Sequence, residues 1–125
     1  MKNLLPLTYA YAKLTPSIFN NHLLNFFDYL LLQRCFTLQQ AHQIHTQLIL
    51  TTAHHSSFLS SRLIATYAHF GSISAARKVF NATPVESLQN ILLWNSIIRA
   101  NVSHGYYQYA LQLYVKMRKF GFLPD

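Results

Sequence analysis

Acidic residues are nearly missing from this 125-residue chain: Asp28, Glu86 and Asp125 stand against ten Lys and Arg, for a net charge of +7. The basic content is ordinary, so the scarcity of carboxylates sets the sign. An excess of this sign favours polyanionic partners, of which nucleic acid is the simplest; the alternative is charge that serves solubility alone. Cysteine is limited to Cys35. That excludes an internal disulfide and fits a reducing compartment. Cys35 lies in an apolar stretch and is expected as a small core residue of a helix. Long hydrophobic runs are lacking too. The richest, Tyr29–Leu32, is cut off by Gln33 and Arg34, well short of the roughly 18 residues of a membrane span.

The same scarcities bear on chemistry. His42 and His45 are three apart, and His54 and His55 are adjacent. A zinc site needs three or four convergent ligands, and the chain has no cysteine pair and few carboxylates to complete one. Neither a metal nor another cofactor is expected. His45 is read as packing in a helix stripe, and His54 and His55 as loop residues. No Ser-His-acid set is visible, and the H-x-E and C-x-x-C signature of nucleotide deaminases is absent. No enzymatic activity, small-molecule substrate or membrane partner is expected.

Against these absences stands an apolar content of 51%, ample for the core of one domain. Its arrangement is helical. In the last 35 residues, Trp94, Ile97, Ile98 and Val102 recur at helical spacing. Gly105 interrupts them, where a helix most easily ends in a left-handed conformation. Ala110, Leu113, Tyr114 and Met117 then form a second stripe, closed by Gly121 and Pro124. A lone helical hairpin cannot bury both faces, so recurrence is the next question. Gly105 laid over Gly71 brings Ala110 over Ala76, Ile98 over Ile64 and Tyr114 over Phe80. One step further back Ala76 falls over Ala41. The windows are 22–56, 57–90 and 91–125.

The first window predicts helices over Leu23–Cys35 and Leu38–Leu50, with Thr37 and Gln40 at capping-box spacing and Leu38, Ala41, Ile44, His45 and Leu48 buried. In the second, Leu59, Leu63, Ile64 and Tyr67 mark the first helix. Ser72 is expected to cap the next, with stripe Ile73, Ala76, Val79 and Phe80. Thr83-Pro84 ends it, and Pro84–Asn90 is a linker.

The stretch WNSII…G…ALQLYVKM…GFLPD resembles a pentatricopeptide repeat. LIATYAHFGSISAARKVF resembles the shorter variant found in plant proteins that alternate long, short and standard repeats, and LLQRCFTLQQAHQIHTQLI their longer variant. The first window departs from the pattern with Phe36 where Gly is favoured. The resemblance implies an all-α, right-handed solenoid of three helical hairpins, its first helices lining a concave face. It implies binding of single-stranded RNA in organellar RNA metabolism, roughly one base per repeat, beside other RNA-processing proteins. The rival readings are a tetratricopeptide-like protein scaffold and a truncated array with no activity of its own.

By the same resemblance the fifth and last residues of a window select the base and the second packs on it. These are Asn95, Asp125 and Leu92 in the third window, a pair favouring uridine, and Ser61, Asn90 and Phe58 in the second, a pair favouring adenine. The fifth residue of the first window is Phe26, which cannot make a base-specific hydrogen bond. Arg34 and His69 share the thirteenth place, where the family often has Lys facing phosphate; Ser103 interrupts that track. Residues 1–21 stand outside the repeats. Basic, acid-free and hydroxylated, they have a transit-peptide character, and the family is mostly mitochondrial or chloroplast.

Overall fold

The computed structural model describes residues 16–51 and 56–122. Six α-helices run through them, with no strand among the described residues: α1 Pro16–Tyr29, α2 Leu38–Leu50, α3 Ser57–His69, α4 Ile73–Asn81, α5 Ile91–Ser103 and α6 Tyr107–Lys119. Residues 1–15, which hold most of the leader expected over 1–21, and also His54, His55 and Asp125 lie outside the described residues. Helix α1 starts at Pro16, earlier than the sequence predicts. The ring that would interrupt a helix interior suits its first turn, where the backbone N–H needs no partner.

The helices form three antiparallel hairpins, α1–α2, α3–α4 and α5–α6. The first helices stack in order, α1 on α3 and α3 on α5, and α3–α5 is the most intimate pairing. Each of α2 and α4 packs against the first helix of the following hairpin. One continuous core follows, built from Phe27, Ile44, Leu59, Leu63, Ile64, Tyr67, Leu93, Trp94 and Ile97 among others. Trp94 is fully buried at its centre. Its Nε1–H donates to the Leu88 carbonyl at 2.7 Å, and the Phe80 and Phe120 rings lie 5.0 and 5.3 Å away, centroid to centroid. The stretch expected as a plain linker thus contains a 3₁₀ turn, Val85–Gln89, that anchors the tryptophan.

The corners of the second and third hairpins are alike. Gly71 and Gly105 adopt φ of 82° and 81°, the left-handed region that a β-carbon disfavours. Gly71 N–H then reaches the Ala68 carbonyl and Ser72 N–H the Tyr67 carbonyl; Gly105 and Tyr106 do the same to Val102 and Asn101. These paired bonds satisfy the last carbonyls of α3 and α5. The cap expected of Ser72 at the start of α4 is not made: its side chain forms no capping bond.

The first hairpin turns differently. Helix α1 widens into a π turn over Leu30–Arg34. Cys35 follows in extended backbone, half-buried, with its Sγ–H directed at the Thr37 carbonyl at 3.7 Å. It is therefore not the helical core residue expected, though burial does raise its thiol pKa. Thr37 Oγ1 accepts from Gln40 N–H at 3.1 Å, and Gln40 Oε1 accepts from Phe36 N–H at 2.7 Å. This reciprocal pair fixes the start of α2 as the spacing predicts.

A π turn holds one residue more than an α turn, and the helix register records it. Leu59, Leu63 and Tyr67 are buried in α3, and Leu93, Ile97 and Asn101, 34 places on, are buried in α5. Their buried counterparts, 36 places before those of α3, are Leu23 and Phe27 in α1 and Leu31 in the π turn that continues it. The second helices keep the closer spacing, with Ala41, Ala76 and Ala110 all buried. Further expectations change on packing grounds. Val102 is exposed rather than buried, and Leu38, His45, Ile98 and Tyr114 are half-buried at the edge of the core.

Candidate nucleic-acid interface

The corrected register decides which side chains share a place on the first helices. Asn95 of α5 and Ser61 of α3 remain equivalent, but their partner in α1 is Asn25, not Phe26. Asn25 is exposed, whereas Phe26 packs against the core. Sequence alignment missed Asn25 because the additional residue in the π turn displaces α1 by one position against α2. The signal was there: Leu23 to Ala41 spans one residue more than Leu59 to Ala76.

Asn95 is exposed on α5, with both an amide donor and an acceptor to offer. Ser61 does not match the open polar tip expected of it. It is 8% exposed, sunk beside the tight α3–α5 pairing, and its Oγ has no hydrogen-bond partner among the described residues. A buried hydroxyl left unpaired costs on the order of 1–3 kcal/mol. Asn90 is the N-cap of α5: its Oδ1 accepts from Leu92 N–H at 2.9 Å, which leaves the Nδ2 hydrogens as donors. Leu92 is exposed, open to a flat apolar partner. Phe58 is half-buried, and the Arg62 guanidinium sits 5.4 Å from its ring centroid. Arg62 in turn pairs with Asp28 of α1 at 3.1 Å.

The thirteenth-place track changes with the register. His69 of α3 now corresponds to Gln33 and Ser103, and Arg34 falls one place beyond. Arg34 is exposed and donates from Nε to the Tyr29 hydroxyl at 3.0 Å. His69 is exposed, its ring edge-on to Phe70 at 5.0 Å.

Beneath this surface, two polar latches join consecutive hairpins at one place in the register. Tyr67 of α3 puts its hydroxyl between His42 Nδ1 (3.0 Å) and His45 Nδ1 (2.9 Å) of α2. The hydroxyl donates to one ring nitrogen and accepts from the other, so one of the two Nδ1 atoms is bare and the other carries a proton. Burial pushes the Tyr67 pKa up to about 12. Asn101, the counterpart of Tyr67 in α5, is fully buried, and its Oδ1 accepts from Arg77 Nε (3.0 Å) and Nη2 (2.7 Å) of α4. Arg77 also stacks over Tyr109 and Tyr106, 4.1 and 4.6 Å from their centroids. These groups bind the repeats to each other and have little left for a ligand. Among the described residues no cluster of His, Cys, Asp or Glu could hold a metal, and no helix is long and apolar enough to cross a membrane.

Comparison with known proteins agrees with this architecture. The family model for the PPR repeat matches residues 92–122. A putative pentatricopeptide repeat-containing protein of Arabidopsis thaliana is 43% identical over 104 residues, covering 82% of this chain and 14% of the relative. A mitochondrial protein of that name from the same plant is 36% identical over 89 residues, 70% of this chain and 14% of its own length. A chloroplastic one is 33% identical over 89 residues, 71% of this chain and 13% of its own length. The chain thus spans between one-tenth and one-seventh of the length of the curated relatives it matches. No solved structure matches. Three stacked helical hairpins, two glycine corners in common and this set of relatives place the chain in the pentatricopeptide repeat family of plants.

Proposed function

We propose that this chain binds single-stranded RNA in a sequence-biased manner, in the RNA metabolism of a mitochondrion or chloroplast. The observation that carries the reading is the stack of α1, α3 and α5, which brings Asn25, Ser61 and Asn95 to one place in the register at successive repeats. Polar groups at regular intervals along tightly packed helices suit a strand that offers one base edge per repeat. Asn95, completed by Asp125, favours uridine. Ser61, completed by Asn90, favours adenine, and a base seated in the α3–α5 seam would give the Ser61 hydroxyl the partner it lacks. Leu92 supplies an apolar wall for one base. For the other, Phe58 and Arg62 present a stacked pair that can share a third flat group. Asn25 gives the first repeat the polar reader that Phe26 could not be.

Titration with labelled uridine-rich, adenine-rich and duplex RNA at two salt concentrations tests the proposal. Single-strand preference and a negative salt slope are expected. Asn95→Ala should weaken uridine-containing RNA by about 1–3 kcal/mol, the scale of one base contact. Equal affinity for duplex, or an Asn95→Ala protein that binds as before, overturns it. Relatives carrying mitochondrial and chloroplastic names support the compartment, and fluorescent tagging of the full-length protein in plant cells tests it.

A further inference from the structure

A cleft of about 410 Å³ lies between α3 and α5 near their C-terminal ends, lined by Ala65, His69, Ser96, Arg99, Ser103 and His104 among others. Small residues leave the space, and one guanidinium and two imidazoles edge it. Arg99 is exposed and makes no hydrogen bond, ion pair or ring contact with the described residues. That sets it apart from Arg62, paired with Asp28, and Arg77, bound to Asn101. Lys116, Arg118 and Lys119 sit in the last turn of α6, where they complement the helix dipole. Among the described residues no carboxylate answers Arg99: Asp28 is engaged with Arg62, and Glu86 lines a different cleft.

His104 belongs to the same wall. Its Nε2 lies 2.8 Å from the Ala68 carbonyl. A carbonyl only accepts, so Nε2 carries a proton and His104 is pinned across the cleft from α5 to α3. This bond ties the two helices together at the rim of the cleft, and no carboxylate among the described residues engages Arg99 or His69.

We infer that this cleft is a phosphate seat, in which Arg99 and His69 together grip the phosphodiester linking the nucleotides held at the second and third repeats. This rests on the RNA-binding reading and adds to it a backbone contact at the ninth place of a repeat, where α1 has Tyr29 and α3 has Ala65. Arg99 restores the positive charge that Ser103 removes from the track of His69. A guanidinium offers a two-pronged donor to phosphate oxygens, and the imidazole a third N–H from the facing helix. The Ser96 hydroxyl adds a neutral donor at the same wall, while that of Ser103 already donates to the Ala100 carbonyl at 3.0 Å. Because phosphate carries no sequence, the contact strengthens binding to every single strand alike.

The test uses the full chain with a labelled single-stranded RNA containing adenine followed by uridine, and the variants Arg99→Gln and Arg99→Lys. Arg99→Gln is expected to raise Kd about 5- to 10-fold at low salt and to reduce the log–log salt slope by about 0.7, the value of one phosphate on a single strand. The loss should be the same for uridine-rich and adenine-rich RNA, and Arg99→Lys should recover part of it. A single methylphosphonate walked along the RNA should weaken wild-type binding at one linkage and have no further effect there in Arg99→Gln. An unchanged Kd and slope in Arg99→Gln, with wild type still binding RNA, overturns the phosphate seat and leaves the RNA reading standing. So does an altered base preference without a change in slope. Failure of the wild-type chain to bind single-stranded RNA overturns both.

Discussion

The first hairpin and the two that follow solve one packing problem in two ways. In α3–α4 and α5–α6 a glycine at positive φ makes the corner, and paired backbone bonds tie off the helix end. In α1–α2 no glycine is available. Phe36 stands at the corner, 69% exposed, and a π turn with a Thr37–Gln40 cap brings the chain round. Both routes end with the second helix burying its alanine, Ala41, Ala76 or Ala110. The lesson is that the core fixes where helices lie, while the corner fixes which residue of the first helix faces outward. A single additional residue in the corner exchanges Phe26 for Asn25.

Deleting one residue gives the sharpest contrast. Removal of Leu32, inside the π turn, should convert it to an α turn and leave the hairpin intact. Its counterpart Val102 has no slack around it. Deletion there turns the following chain by about 100° and displaces Ala110, Leu113 and Met117 from the core, so several kcal/mol should be lost. Chemical denaturation of the two deletion proteins checks this, and equal losses would mean that the π turn is not where the residue is absorbed. Next in size are the corners themselves. Gly105→Ala should cost about 1–2 kcal/mol, since a β-carbon at this φ is strained; nothing lies within 4 Å of the site to clash, so the penalty is conformational alone. Phe36→Gly should bring no comparable gain, because that corner does not use the left-handed region.

The smallest effect concerns the latches. Tyr67→Phe removes a hydroxyl held by two imidazoles and should cost about 1 kcal/mol. The raised Tyr67 pKa adds a pH signature. The neutral phenol is favoured in the fold, so its contribution is complete below the ordinary tyrosine value near 10 and is lost as pH rises toward about 12. Thermal melts across that range should show a decline in wild type that is reduced in Tyr67→Phe.

How much of this was legible in the sequence follows from the range of the forces involved. The two glycine corners, the Thr37 cap and the stripes of α2 and α4 depend on neighbours within a few residues, and the pattern shows them directly. The proposed interface was half legible. Asn95 and Leu92 are exposed as expected, but the depth of Ser61 depends on how closely α5 approaches α3, and the capping role of Asn90 on where α5 begins. Arg99 and its cleft with His69 were invisible, because the residues come from two helices 30 positions apart along the chain.

By itself, the order of residues determined an all-helical chain, its division into recurring hairpins and its positive charge, because periodicity and composition act locally and sum along the chain. Only the tertiary structure decided which polar groups become reachable. Exposure is a property of the neighbouring helix as much as of the residue, and one residue wound into a π turn is enough to change which side chain faces outward.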